Sequence, residues 1–229
     1  MKRTPMPVAM LFAAALFLAP GPAVCGNLLT NGSFQSGTLA GWTVFTTPDG
    51  SLGRGLPVVT LFNVTGRGPA DAAEFNVGEL NGITKYFAGG GLYQDFTTTG
   101  GTFDLSYDFA AEGGSVGNAV GGFFSLLLNG NPLTADGVGV IHPGQIVRGS
   151  LNTDLTLAAG TYQFEILITR PYGNDSITPF QYVTGASVSS GTEAEALSGQ
   201  LGTRAPEPAT LFLFASGLLA VGFLKGKLM

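Results

Sequence analysis

Apolar and polar residues alternate with a period of two over long stretches in the middle of the chain. Apolar side chains occupy every second position from Phe103 to Phe109 and again from Tyr162 to Ile168, with mostly polar residues between them. Since successive side chains of a strand point to opposite faces, this spacing predicts two strands that each bury one face. No segment between the chain ends shows a sustained 3.6-residue stripe with helix caps. The middle of the chain is therefore predicted to be all-β.

The boundaries between the predicted strands are marked by glycine-rich turns. An apolar run from Phe123 to Leu128 is followed by Asn129-Gly130-Asn131-Pro132. Asn and Gly tolerate a positive φ and Pro fixes its own φ, so this tetrapeptide predicts a turn. Gly89-Gly90-Gly91 and Gly113-Gly114 lack the lysine and the helix of a phosphate-binding loop, and we interpret them as turns too. Short strands separated by such turns favour a β-sandwich or a barrel.

The beginning of the chain has the pattern of a secretory signal peptide. Two cations precede an apolar run from Val8 to Ala19, which Pro20 ends. Ala23 and Cys25 then place small residues at positions −3 and −1 of a cleavage site. The apolar run is shorter than the ~20 residues of a membrane span. Residues 1–25 are therefore predicted to form a signal helix, with an N-terminal anchor and a lipid-modified Cys25 as the alternatives.

The end of the chain has the pattern of a membrane-spanning helix. The apolar segment from Ala209 to Leu224 is followed by Lys225 and Lys227. As a helix it reaches ~24 Å, a little short of a ~30 Å hydrocarbon core, and flanking lysines can extend that reach. Those lysines act as a membrane stop and favour a cytoplasmic C-terminus, with the body of the protein outside. Pro206-Glu207-Pro208 precedes this segment, and for a plain anchor it would be only a stiff linker.

Taken together, residues 206–229 closely resemble the PEP-CTERM sorting signal of exported bacterial proteins. Lys225-Gly226-Lys227 stands where that family more often has a run of arginines. The resemblance implies that an exosortase, a membrane transpeptidase-like enzyme, recognises Pro206, Glu207 and Pro208 as its substrate. It also implies transient anchoring in the inner membrane of a Gram-negative-type bacterium that makes exopolysaccharide, followed by transfer to the cell surface or the extracellular matrix. Residues 191–205 have no apolar period and are predicted to be a flexible linker.

Residues 26–190 contain short motifs that resemble galactose-binding-like jelly-roll domains. These motifs are Asn31-Gly32-Ser33-Phe34, Gly41-Trp42 and Tyr93-Gln94-Asp95-Phe96. The resemblance implies a jelly-roll-like antiparallel β-sandwich. Some of these domains bind a structural calcium ion through acidic residues where this chain has Gln35 and Gly185-Ala186-Ser187-Val188. Calcium takes six to eight oxygen ligands, largely from carboxylates, so neither a metal ion nor a cofactor is predicted here.

The composition narrows the partners and the redox chemistry. Charged residues make up 11% of the chain, against ~25% in typical soluble domains, and the formal net charge is −5. Because no basic stripe is present to neutralise a phosphate backbone, nucleic acid is not expected as a partner. Cys25 is the only cysteine, so an intramolecular disulfide is impossible. The fold is therefore expected to depend on apolar burial and on hydrogen bonds between strands.

Few side chains are candidates for catalysis. His142 is the only histidine, and its surroundings lack the spacing of zinc ligands or of a catalytic triad. Glycoside hydrolysis needs two carboxylates held ~5–9.5 Å apart. Asp104 and Asp108 share one face of a predicted strand, and Asp95 or Glu112 could pair with them. Since the polar face of such a strand usually meets water, no catalytic residue is predicted.

Aromatic side chains are the candidates for contact with a glycan. Trp42, the lone tryptophan, could be a stacking platform for a sugar or a core residue, as most tryptophans are largely buried. Tyr172, Phe180 and Tyr182 near Arg170 form a second possible aromatic site. The sequence thus predicts an exported, non-catalytic surface or matrix protein with exopolysaccharide as its candidate ligand. A structural or adhesive protein without a small ligand and a carbohydrate-active enzyme are the alternatives.

Overall fold

The computed structural model describes residues 26–80, 87–115, 117–171 and 179–191. The predicted signal peptide, most of the predicted linker and the predicted transmembrane helix lie outside these residues. The same is true of seven residues that the sequence singles out: Ala23, Cys25, Pro206, Glu207, Pro208, Lys225 and Lys227. Across the described ranges, none of the secondary structure is a helix able to cross a membrane.

The described residues form β-strands joined by turns and loops. The strands are β1 Thr43–Thr46, β2 Gly50–Ser51, β3 Val58–Phe62, β4 Ala70–Phe75, β5 Gly78–Glu79, β6 Ala88–Thr98, β7 Gly101–Glu112, β8 Ala119–Leu128, β9 Asn131–Ile141, β10 Ile146–Leu157, β11 Gly160–Arg170 and β12 Phe180–Ser190. Every pair of neighbouring strands among them is antiparallel.

The strands assemble into two five-stranded sheets. Sheet one has the order β1-β6-β11-β8-β9, and sheet two has the order β10-β7-β12-β4-β3. A small third sheet pairs β2 with β5. One hydrophobic core joins the inner faces of the two large sheets, so the predicted antiparallel β-sandwich is confirmed.

The core consists of the apolar side chains that alternate along the central strands. The four aromatic or aliphatic residues from Phe103 to Phe109 on β7 are at most 5% exposed, as their spacing predicts. Phe109 stacks on Phe124 of β8 across the sandwich, with ring centroids 4.2 Å apart. On β11, Phe164 and Ile166 are fully buried. Each such side chain contributes about 1.5–3 kcal/mol by leaving water, which makes this interface the main source of stability.

The turn predicted after Phe123–Leu128 is confirmed and is shorter than the sequence suggests. Asn129 and Gly130 have φ values of 51° and 74°, and Leu128 pairs with Asn131. A two-residue hairpin with positive φ at both positions matches the twist of the flanking strands. Asn131 and Pro132 already belong to β9, and Pro is tolerated there because β9 lies at the edge of sheet one.

Gly89-Gly90-Gly91 is a strand and not the turn that the sequence suggests. All three glycines lie inside β6, between β1 and β11. A Cβ atom on Gly90 would collide with the carbonyl oxygen of Phe45, and one on Gly91 with that of Ile166. The neighbouring backbones approach β6 too closely for side chains. These glycines therefore allow the neighbouring strands to pack closely against β6, and they do not form a turn.

The segment before β1 is fastened to sheet one by a buried amide. Gln94 of β6 is 8% exposed, and its side-chain oxygen accepts a hydrogen bond from the backbone N–H of Thr30. Its amide nitrogen donates to the carbonyls of Thr30 at 3.0 Å and Gly41 at 2.7 Å. Because both ends of the amide are hydrogen-bonded, these bonds offset the cost of removing Gln94 from water.

Candidate ligand-binding site

Trp42 lies in the hydrophobic core. Its side chain is 8% exposed, and its indole N–H donates to the carbonyl of Asn31 at 3.1 Å. The ring packs against Phe34 and Phe164, with centroids 5.7 Å and 6.2 Å away. A sugar needs an open aromatic face for stacking, and Trp42 offers little of one.

The residues around Gln35 and Ala186, where the sequence predicts no calcium site, are joined by hydrogen bonds of an amide side chain. Gln35 is exposed, and Gly185 and Ala186 lie across a shallow cleft from it. The amide nitrogen of Asn27 donates to the carbonyl of Ala186 at 2.8 Å, and its oxygen accepts from the N–H of Val188 at 3.0 Å. In the described part of the chain, no group of three or more His, Cys, Asp or Glu side chains could hold a metal ion.

The carboxylates considered for catalysis are divided between the two sheets. Asp104, Asp108 and Glu112 lie on the outer face of β7 in sheet two, as their spacing predicts. Asp95 belongs to β6 in sheet one, where Gln163 donates to it at 3.2 Å. Because the sandwich core separates the outer faces of the sheets, Asp95 cannot pair with the carboxylates of β7.

His142 occupies the predicted turn, between β9 and β10. Its side chain is exposed, and its Nδ1 lies 2.7 Å from the side-chain oxygen of Asn118. The turn is closed by a hydrogen bond from the N–H of Gln145 to the carbonyl of His142 at 3.0 Å. These contacts hold His142 in the turn, and neither of them involves a nucleophile or a carboxylate.

Two of the three aromatic residues near Arg170 in the sequence lie in the other large sheet. Phe180 and Tyr182 belong to β12 in sheet two, where Tyr182 stacks on Phe62 of β3 with centroids 3.6 Å apart. Arg170 belongs to β11 in sheet one and is 2% exposed. Tyr172 lies outside the described residues. The Phe62–Tyr182 stack is therefore part of the outer face of sheet two alone.

Two glutamates flank this stack. Partial burial and the nearby carboxylate of Glu112 both raise the pKa of Glu74 above its usual value, burial being the larger cause. The hydroxyl of Tyr182 donates to Glu112 at 3.2 Å. Burial, followed by the charges of both glutamates and this hydrogen bond, raises the pKa of the Tyr182 hydroxyl. The cluster keeps Tyr182 protonated and disfavours two full negative charges side by side.

The loop between β3 and β4 folds over the outer face of sheet two. Val64 in this loop is 2% exposed and packs against Ala72, Ala110 and Tyr182 in a second, smaller apolar cluster. Burial of Val64 holds the loop against the strands β4, β7 and β12. The space left between the far side of the loop and the strands β7 and β10 is a cleft.

Hydrogen bonds within the loop keep it in one conformation. The side-chain oxygen of Asn63 accepts from the N–H of Gly68 at 3.0 Å, and the hydroxyl of Thr65 accepts from the N–H of Arg67 at 3.3 Å. The loop is also tied to β10, because Nε of Arg148 donates to the carbonyl of Asn63 at 2.9 Å. A loop that is ordered before a ligand arrives loses less entropy on binding.

We call the space under this loop the arginine cleft. It has a volume of about 250 Å³. Asp108 lies on β7, where its strand neighbours are Ser150 of β10 and Thr184 of β12. The polar residues and the glycine that line the cleft are Thr65, Arg67, Asp108, Arg148, Gly149 and Ser150.

The charged groups of the arginine cleft retain most of their hydrogen-bonding capacity. Burial raises the pKa of Asp108, and the charge of Arg67 acts in the opposite direction. Within the described ranges, the bond from Arg148 to Asn63 is the only side-chain hydrogen bond of these three groups, and no ion pair joins them. Two guanidinium groups and one carboxylate thus face a common space with free donors and acceptors.

The sequence singles out Asp108 but gives no reason to group it with Arg67 and Arg148. The two arginines are far apart in the chain, and only the fold of the β3–β4 loop brings them to the same cleft. The available signal is the scarcity of cations in the central part of the sequence. Where positive charges are few, each exposed one is a candidate for a specific contact.

No family model and no curated protein matches the chain. Among solved structures, it is similar to the carbohydrate-binding module TmCBM61 in complex with β-1,4-galactotriose (12% identity, TM-score 0.41, covering 71% of this chain and 97% of that one). It is also similar to the C-terminal family 22 carbohydrate-binding module of Clostridium thermocellum Xyn10B (16% identity, TM-score 0.35, covering 70% of this chain and 95% of that one). A third similar structure is that of the arabinose-bound α-L-arabinofuranosidase MgGH51 (16% identity, TM-score 0.41, covering 72% of this chain and 26% of that one). With TM-scores below 0.5, these likenesses assign neither a ligand nor an activity to this chain.

Proposed function

We propose that this chain is an exported, non-catalytic surface or matrix protein whose jelly-roll-like domain binds exopolysaccharide. Export and sorting are supported by the signal-peptide pattern of residues 1–25 and by the resemblance of residues 206–229 to the PEP-CTERM signal. The single observation that supports ligand binding is the arginine cleft. It combines donors and an acceptor that no internal ion pair consumes.

The chemistry of the cleft suits a polyhydroxylated ligand. Each sugar hydroxyl both donates and accepts hydrogen bonds, whereas a guanidinium only donates and an ionised carboxylate only accepts. Arg67 and Arg148 can therefore donate hydrogen bonds to hydroxyl oxygens while Asp108 accepts a hydrogen bond from a hydroxyl group. Small-molecule sites use a few such polar groups on a preformed surface.

Retention by exopolysaccharide tests this proposal. The full-length chain, purified in detergent, would be run through gels with and without exopolysaccharide of its host. We expect the polymer to retard the wild-type protein, and the Arg67→Ala/Arg148→Ala variant to bind at least about tenfold more weakly, since hydrogen bonds to charged groups contribute ~1.5–3 kcal/mol each. Arg54→Ala removes an exposed arginine away from the cleft and is the matched control.

Three results would count against the proposal or against the cleft as its binding site. A wild-type protein that the polymer does not retard would favour a structural or adhesive protein without a ligand. Release of new reducing ends from the polymer would favour a carbohydrate-active enzyme. A double variant that binds as the wild type does would place the ligand elsewhere on the domain.

Processing of the C-terminus tests the sorting proposal. The two prolines of Pro206-Glu207-Pro208 fix φ and keep the segment extended, which suits an enzyme that takes the backbone into its cleft. After replacement of all three residues by alanine, we expect the full-length precursor to accumulate in the inner membrane, as it should in a strain that lacks the exosortase. Immunoblots of membrane and extracellular fractions measure this. Normal trimming of the triple variant would reduce the motif to a linker.

A further inference from the structure

The exposed positive charge of the described residues is concentrated in the arginine cleft. Their cationic side chains other than histidine are Arg54, Arg67, Arg148 and Arg170, and Arg170 is buried. Two of the other three therefore line a single cleft, in a protein with a formal net charge of −5. A positive site on a negative surface gives an anionic group one favoured place to bind.

We propose that the arginine cleft binds the carboxylate-bearing residues of acidic polysaccharides, that is, uronate sugars. This inference rests on the proposed function and adds the class of sugar. A guanidinium presents two parallel N–H donors that match both oxygens of a carboxylate. Arg67 keeps all its side-chain donors and Arg148 keeps its terminal nitrogens, so a uronate can be bound without breaking an ion pair of the protein.

Asp108 makes the cleft selective for sugars among anions. Its half-buried carboxylate faces the same space as the arginines and lacks a hydrogen-bond donor among the described residues. A uronate carries ring hydroxyls beside its carboxylate, so one group can bind the arginines while another donates to Asp108. Polyglutamate and DNA carry no hydroxyl beside each negative charge, and Asp108 repels them without compensation.

The size of the cleft fits one residue of a polymer. Its volume of about 250 Å³ is below the ~300–1,000 Å³ of pockets that enclose drug-sized ligands. The chain on either side of a bound sugar must therefore run over the surface. Internal residues of a polysaccharide can bind in this way, and no chain end is required.

Chemical reduction of the ligand tests the inference directly. The full-length chain in detergent would be titrated with polygalacturonate and with carboxyl-reduced polygalacturonate, which has the same linkages but no charge. We expect at least about tenfold tighter binding to the acidic polymer, because a charge-assisted bidentate contact is lost on reduction. Arg67→Ala should abolish this preference and Arg54→Ala should retain it. Arg67→Lys keeps the charge without the planar fork and should lose most of the preference.

The possible outcomes separate this inference from the proposed function. Equal affinity for the two polymers, or binding of the host exopolysaccharide alone, overturns uronate selectivity and leaves polysaccharide binding intact. Binding of none of the three polymers overturns both. Equal binding of poly-L-glutamate overturns selectivity for sugars, since charge alone would explain it. Asp108→Asn should lower the preference for polygalacturonate over polyglutamate. An unchanged preference would show that Asp108 does not contact the ligand.

Discussion

Trp42 shows how one aromatic residue can satisfy two different sequence interpretations until its neighbours are known. In the sequence, a lone Trp after Gly41 is compatible with a sugar platform or with a core position. In the structure, Phe34 and Phe164 cover its ring and Asn31 accepts its N–H. The indole therefore contributes both packing and a satisfied hydrogen bond to the core.

Replacement of Trp42 is expected to destabilise the protein strongly. Trp42→Ala should lower the free energy of unfolding by about 3–5 kcal/mol, because it opens a cavity beside Phe34 and Phe164. Trp42→Phe keeps a ring but loses the bond to Asn31, and it should cost clearly less. Denaturant unfolding monitored by circular dichroism measures both. A Trp42→Ala variant with unchanged stability and lost polysaccharide retention would reverse the assignment to the core.

Glu74 gives the stability a predictable dependence on pH. Its pKa is raised in the folded state, so folding favours the protonated form, and stability falls as pH rises from the usual value of 4.5 through the raised one. Glu74→Gln should therefore raise the melting temperature at neutral pH and leave it nearly unchanged below pH 4.5. Asp95→Asn, on the exposed face of sheet one, controls for the loss of one charge. An equal rise in melting temperature at both pH values would show that the charge of Glu74 is not the cause.

The interior strand β6 contains glycines that residues with a side chain cannot replace. Gly91→Ala should destabilise the protein by about 1–3 kcal/mol or more, because the new Cβ atom would collide with the carbonyl of Ile166 in β11. On the edge strand β9, a Cβ atom added to Gly139 would meet no other atom within 4 Å, and Gly139→Ala should change stability little. Thermal melts of the two variants test this. Similar melting temperatures would mean that β6 can move away from β11.

The strands that were predictable from the sequence are those with one buried face and one exposed or partly exposed face. Along β7, one face meets the core and the other meets water or the loop, so the period of two is visible between Phe103 and Phe109. In β6 the glycines have no side chains, so no alternation of apolar and polar residues is visible there. Their role depends on how closely the backbones of β1 and β11 approach β6. Propensity alone interprets three glycines as a turn, since the approach of neighbouring strands is a tertiary effect.

Hydrogen bonds of Asn27 join the first described segment to β12. Asn27 makes hydrogen bonds to Ala186, to Val188 and to the N–H of Leu29, and each contributes about 1 kcal/mol. We expect a calcium chelator to leave the melting temperature unchanged and Asn27→Ala to lower it by several degrees. Differential scanning calorimetry measures both. A drop on chelation would show that oxygen atoms near Gln35 hold an ion after all.

For the molecule as a whole, the candidate site was less predictable than the fold. Patterns within single strands predict strands that assemble into a sandwich or a barrel, whereas the arginine cleft combines β7, β10 and the β3–β4 loop. Asp108 is visible in the sequence as a polar residue on a strand, but its partners depend on the register between β7 and β10. That register pairs Asp108 with Ser150 and sets Arg148 beside it. A single sequence does not show which residues of two strands are paired.

The position of β12 determines how the domain responds to force. β12 lies between β7 and β4, and its pairing with β7 extends from Phe180 to Ser190 with a bulge between Thr184 and Ser187. A pull on the chain beyond Ser190, against a ligand held at Asp108, runs parallel to these strands. The hydrogen bonds of the ladder then share the tension in shear and do not open one after another from an end. A protein tethered on that side and bound to a polymer through the cleft would resist mechanical unfolding along the line between its two attachments.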